Sequence, residues 1–208
     1  MAFPVDPLTL LAFLPAALAL NLTPGADMMF CLGQGLRGGW RAGQAANLGI
    51  ALGGMVHVTL AALGLAAVIE THPAAFETLR WAGVLYLLWL AWKSLRSGPA
   101  RAARVDRAPA LRVFRDALVV NLLNPKVILF ILAFLPQFVD PGRAVVPQFL
   151  VLGLVFSAGG LVVNGLVGGF AASIGGRLAR SDVLSQGLGR VSAGIFGLLA
   201  LRLAVMER

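Results

Sequence analysis

Asp27 and Lys126 are the only formal charges deep within the long apolar segments of this chain, and each follows a proline: Thr23-Pro24-Gly25-Ala26-Asp27 and Asn124-Pro125-Lys126. Centring an ionisable side chain in a bilayer costs at least ~2.5–3.5 kcal/mol, which makes such a residue a functional candidate by default. A proline within a helix deprives one carbonyl of its N–H partner and clashes with the preceding turn. Unwound backbone at membrane depth is tolerated only where protein buries it or it lines a cavity. A half-helix begins after each break, and its unpaired N-terminal N–H groups favour an anion. The chemistry these residues suit is the binding of a small charged molecule: Lys126, with Asn124 and the surrounding backbone, for a carboxylate, and Asp27 for an ammonium group or a carried proton. The structural alternative is that the two charges neutralise each other.

Polar neighbours at Asn21, Thr23, Gln34, Asn47, Asn121, Asn124 and Asn164 either complete a wet pathway or bond helices together. The candidate binding or translocation residues are therefore Asn21, Thr23, Pro24, Gly25, Asp27, Asn47, Asn121, Asn124, Pro125, Lys126 and Asn164. His57 reads first as a hydrogen-bonded packing residue and second as a proton relay. No catalytic residue, metal site or cofactor is expected: there is no histidine-rich cluster, no HExxH and no convincing serine-histidine constellation. Gly33-Gln34-Gly35-Leu36-Arg37-Gly38 fits the G-x-G-x-x-G pattern, yet no strand precedes it, so the dinucleotide reading lacks its context.

The elements that hold these residues must be membrane helices. Of the 208 residues 59% are apolar and 12% charged, against roughly 45–50% and about 25% in soluble domains. Uncharged stretches run from Ala42 to Ile69 and from Ala144 to Gly176, each longer than the ~20 residues that cross a bilayer as helix. Apolar spans fall at about Leu8–Leu36, Ala45–Ile69, Phe76–Leu95, Phe114–Val139, Val145–Ile174 and Ser185–Val205. Their runs do not alternate as barrel strands would. Charges near the ends of the third and sixth spans (Glu77, Arg80 and Lys93; Arg190 and Arg202) can snorkel to the interface. Cys31 is the only cysteine, which excludes an intramolecular disulfide. The run Leu8–Leu20 reads as a retained first helix, because no Lys or Arg precedes it and its apolar character continues.

A net charge of +8 does not point to nucleic acid, because the charges cluster in short loops between apolar spans. Between Lys93 and Arg115 lie seven basic residues against Asp106 alone, so the linker at 97–112 should be cytoplasmic. Counting outward, the loops with Arg37 and Arg41 and with Arg177 and Arg180 are also cytoplasmic, and the loop with Glu70 and Glu77 faces out. Both termini are then outside.

The linker separates two halves, about 1–96 and 113–208, within a single transmembrane domain. Asn21-Leu22-Thr23-Pro24 has a counterpart in Asn121-Leu122-Leu123-Asn124-Pro125. Asn47 stands beside Gly49-xxx-Gly53 as Asn164 does beside Gly165-xxx-Gly169. Three spans per half require the halves to lie in opposite orientations, so the expected fold is an all-α integral membrane protein of about six transmembrane helices in two inverted three-helix repeats.

Three segments together resemble the LysE/RhtB amino-acid exporters: Thr23-Pro24-Gly25-Ala26-Asp27-Met28, Trp81-Ala82-Gly83-Val84-Leu85-Tyr86-Leu87-Leu88-Trp89-Leu90, and Asn124-Pro125-Lys126 through Leu135-Pro136-Gln137-Phe138. The resemblance spans nearly the whole chain. Ala26 replaces the second proline of the family's usual Pro-Gly-Pro. The resemblance implies secondary-active, proton-driven export of amino acids or related small metabolites across the bacterial inner membrane, without a nucleotide and without enzymatic activity. The partners are then a small amino acid, protons and the lipid bilayer; a homo-oligomer is compatible with it. The other classes kept in view are a membrane-embedded structural or regulatory subunit and an intramembrane enzyme.

Overall fold

The computed structural model describes residues 3–71, 73–96, 107–171 and 182–205, all helix or short connection with no strand among them. Helix α1 spans Pro7–Leu22. Asp6 caps it by accepting the Leu8 N–H at 2.8 Å, and Pro7 fills the first turn, where no partner for its nitrogen is needed. The chain turns extended at Thr23, before Pro24, and re-enters helix as α2, Ala26–Thr71. α2 is two lengths of helix joined at Gly39, whose φ of 71° and ψ of −168° form a corner that glycine adopts without a Cβ clash. The loop expected between Leu36 and Ala45 is therefore one residue.

Helix α3 is Pro73–Leu95, α4 is Ala110–Leu122 and α5 is Pro125–Leu129. α5 continues as a π-helical turn at Phe130–Phe134 and a 3-10 turn at Leu135–Phe138, and this stretch is bent 50° from α4. Helix α6 is Val145–Gly169 and α7 is Asp182–Val205. The linker at 97–106 and the loop with Arg177 and Arg180 lie outside the described residues, as do the side chains of Glu70, Glu77, Arg80 and Arg202.

By length and composition, two stretches among the described residues can cross a membrane, Ala26–Gly64 and Val145–Gly169, and the bent pair Ala110–Leu122 plus Pro125–Phe138 makes a third. Fewer stand out than the six expected from hydropathy, for identifiable reasons. The Pro24 break leaves α1 with 16 residues, short of a full crossing. α3 has Glu77, Arg80 and Lys93 in its sequence, and among the described residues of α7 the apolar stretch is Arg190–Leu201.

α2 packs against α4 and α6, α3 against α7 and the π-helical turn, and α1 against α6 and α7. Glycines set the closest approaches. A Cβ on Gly35 or Gly43 would run into the Gly168 carbonyl, and one on Gly49 into the Phe114 carbonyl, so backbones touch where α2 meets α6 and α4. Gly53 and Gly165 likewise leave room for Asn121 and Asn47. The segment matching G-x-G-x-x-G is helical throughout, so it forms no phosphate-cradling loop.

Buried phenylalanines fill the centre: Phe130 lies 5.1 Å from Phe156 and 4.9 Å from Phe134 between ring centroids, and Phe13 lies 5.2 Å from Phe138. The outside is apolar too. Leu8, Leu11, Leu14 and Leu18 form an exposed stripe on α1, and Leu85, Leu88, Trp92 and Leu95 another on α3. Surfaces this apolar belong against lipid rather than water. At the end of α3 the Lys93 ammonium lies 4.6 Å from the centre of the Trp89 ring, and the Arg96 guanidinium 4.6 Å from that of Trp92. Trp with snorkelling cations marks a membrane-water boundary.

Candidate functional site

The two proline breaks meet. Residues on both sides of them line one polar cavity of about 30 Å³: Asn21, Thr23, Gly25 and Asp27 from the first break, Asn124 and Lys126 from the second, and Asn164 from α6. A cavity needs roughly 10–15 Å³ to hold one water on this measure, so the space admits a pair of waters and no amino acid.

Thr23 and Asn124 are placed by local chemistry, and Asn21 by a contact between helices. Thr23 turns its hydroxyl back to the Ala19 carbonyl at 2.6 Å, ending α1. Asn124 caps α5 by accepting the Lys126 N–H at 3.1 Å. With Pro125 in the first turn, this start to a helix is written locally. Asn21 donates to the Phe156 carbonyl at 3.0 Å and binds α1 to α6.

Asp27 and Lys126 share the cavity without forming an ion pair within 4.0 Å. The Lys126 ammonium donates to the Leu20 and Thr23 carbonyls, both at 2.7 Å, across the first break. Its stem passes beside Gly25, where an added Cβ would sit 3.4 Å from Lys126 Cδ. Asp27 Oδ2 accepts from the Asn121 side-chain amide at 2.9 Å. Asp27 Oδ1 is buried with no hydrogen-bond partner among the described residues. A carboxylate oxygen in that position calls for a donor, a proton or a cationic group.

Asn47 stands apart from this group. Its amide donates to the Leu161 carbonyl at 2.9 Å and to Gln44 at 3.4 Å, while Gln44 donates to the Gly165 carbonyl at 2.9 Å. These bonds tie α2 to α6. Several neighbours escape a search for polar residues. Leu20, Met28, Val127 and Phe156 supply apolar wall. Tyr86, the only tyrosine in the chain, donates to the Lys126 carbonyl at 2.7 Å and attaches α3 to the second break. The buried Ser157 hydroxyl has no partner among the described residues.

Sequence comparison agrees in extent with this architecture. The LysE type translocator profile matches residues 18–207. The chain is 31% identical over 205 residues to the leucine efflux protein of Enterobacter sp. (strain 638), covering 94% of each. It is 34% identical over 148 residues to the homoserine/homoserine lactone efflux protein of Salmonella typhi, covering 69% of this chain and 70% of that one. An uncharacterized membrane protein of Vibrio cholerae is 35% identical over 147 residues, 69% of this chain and 71% of that one. No solved structure matches. The match over both breaks, the cavity and every helix from the end of α1 onward places this membrane protein in the LysE type translocator family.

Proposed function

We propose that this protein is a secondary-active, proton-coupled exporter of amino acids or related small metabolites in the bacterial inner membrane. The observation that carries the reading is the meeting of two broken helices at one buried polar cavity holding a single carboxylate and a single ammonium. Discontinuous helices facing each other at a repeat interface are the usual construction of a substrate site in secondary transporters. Efflux is also the activity named for the leucine and homoserine relatives.

Lys126 has three N–H donors, of which two are committed to carbonyls. The third, with Asn124 and the start of α5, serves the substrate carboxylate. Asp27 Oδ1 serves the ammonium group or the coupling proton. Asn21, Thr23, Gly25 and Asn164 complete the lining, and Pro24 and Pro125 hold the breaks open. Asn121 orients Asp27, and Asn47 holds α2 and α6 together beside the path. The cavity is too small for an amino acid, so binding requires the helices to separate toward one face and then the other, which is alternating access.

The architecture proposed is six spans in two inverted repeats: α1 with 26–38, 40–71 and α3, then α4 with α5 and its continuation, α6 and α7. Exchanging the halves carries α1 on α6 onto α4 on α2, and carries α2 on α6 and α3 on α7 each onto itself. The Arg107 side chain donates to the Arg37 carbonyl at 2.8 Å, which supports one side for the linker and the Gly39 corner.

Cells expressing the chain, preloaded with labelled leucine, homoserine and a panel of other amino acids, should lose at least one label faster than control cells. Equal loss across the panel would refute export. For topology, single cysteines at Ala103 and Gly142 in a Cys31→Ala background should differ toward a membrane-impermeant thiol reagent on intact cells. Only Gly142→Cys should label; labelling of Ala103→Cys alone would invert the orientation.

A further inference from the structure

Each proline leaves one carbonyl without the N–H it would receive in an unbroken helix, four residues earlier in the chain. Pro24 does this to Leu20 and Pro125 to Asn121. Both oxygens are met by a long side chain from the other half of the protein. Lys126 Nζ donates to the Leu20 carbonyl at 2.7 Å, and His57 Nε2 lies 3.3 Å from the Asn121 carbonyl. A carbonyl oxygen only accepts, so the ring nitrogen facing it carries the proton. The Asn124 N–H reaches the same oxygen at 2.9 Å in a tightened last turn of α4.

Asn121 is thereby held from two directions. Its carbonyl faces His57, and its side-chain amide donates to Asp27 Oδ2 at 2.9 Å. Beyond Asn121 the His57 ring borders an apolar cavity of about 380 Å³ with Leu60, Ala61, Ile128 and Leu132. A proton-bearing ring in such a setting gains by turning to a carbonyl whose helix partner the proline has removed.

We propose that His57 is a positioning residue of the translocation site: it supplies from the first half the donor that Pro125 withholds in the second, and so holds Asn121 against Asp27. With Lys126 at the first break, the two breaks are cross-braced, and the halves cannot move past one another without exchanging these caps. The proposal rests on Asp27 being the transport carboxylate, but the capping itself is measured without transport.

The test is a thermal-unfolding cycle on purified protein in detergent with His57→Leu, Pro125→Ala and the double variant. His57→Leu should lower Tm by about 2–4 °C, the effect of losing one hydrogen bond of ~1 kcal/mol in a chain of this size. In the Pro125→Ala background, where an alanine N–H can reach Asn121, the loss should be less than half as large. Equal losses in both backgrounds overturn the cap. In labelled amino-acid export, His57→Leu should lower the maximal rate about fivefold, which corresponds to ~1 kcal/mol, and His57→Gln, whose amide can donate to the same carbonyl, should restore most of it. Full export by His57→Leu overturns the positioning role. If the wild-type chain exports nothing, the export reading fails, and the thermal cycle still decides the cap.

Discussion

Asp27→Asn should abolish uphill amino-acid export while leaving the protein in the membrane at its normal level. Asparagine keeps the shape of the side chain, and its carbonyl oxygen can still accept the 2.9 Å bond from Asn121. Removing a formal charge from mid-membrane also makes insertion cheaper, by up to the ~2.5–3.5 kcal/mol that the charge costs. What is lost is the ability to change protonation state and the unpartnered anionic oxygen facing the cavity. Export of labelled amino acid against a gradient, normalised to the amount of protein in the membrane, checks this. Retained uphill export would remove Asp27 from the mechanism. The double variant Asp27→Asn/Lys126→Met adds a second arm. If the two charges only neutralised each other, removing both would restore transport. The Lys126 ammonium is committed to the Leu20 and Thr23 carbonyls rather than to Asp27, so the double variant should be as inactive as the single one.

Lys126→Met should reduce both stability and export. The substitution keeps an unbranched stem beside Gly25 but strips two carbonyls of their donor at the first break. Hydrogen bonds to charged groups contribute roughly 1.5–3 kcal/mol in water-soluble proteins, and interhelical ones within membranes average about 0.6 kcal/mol. A combined loss of about 1–3 kcal/mol corresponds to a fall in Tm of roughly 3–10 °C for a chain this long. Export should drop at least tenfold, because the donor left for the substrate carboxylate disappears with the other two, an effect of ~1.4 kcal/mol or more on the transported state. Thermal unfolding and apparent substrate affinity, measured on the same preparation, separate the two contributions. A variant with unchanged affinity would make Lys126 a brace alone.

The helical stretches were legible in the sequence wherever hydropathy and local stereochemistry decide. Val145–Gly169 is uncharged along its length and begins at the residue that hydropathy predicts. Both breaks lie at their prolines, since the ring removes an N–H whatever surrounds it. The second helical length was predicted to begin only at Ala45, because a single glycine corner at Gly39 has no hydropathy signature. The same limit hides the π-helical turn at Phe130–Phe134, whose composition is that of ordinary apolar helix.

The sequence by itself determined that this is a helical membrane chain with two proline breaks, an acid after one and a base after the other, and a family resemblance that the match over residues 18–207 bears out. These are properties of short stretches: transfer from water to lipid adds up residue by residue, and a proline ring or a buried charge acts where it stands. Tertiary structure alone decided that both breaks open on one cavity, that Asn47 bonds α2 to α6 while Asn164 lines the site, and that Lys126 reaches back 106 residues to Leu20. Partner choice at such separations depends on how deep each helix sits, how it is rotated and how closely glycine lets it approach. No local composition encodes those quantities, because they follow from packing all the helices at once.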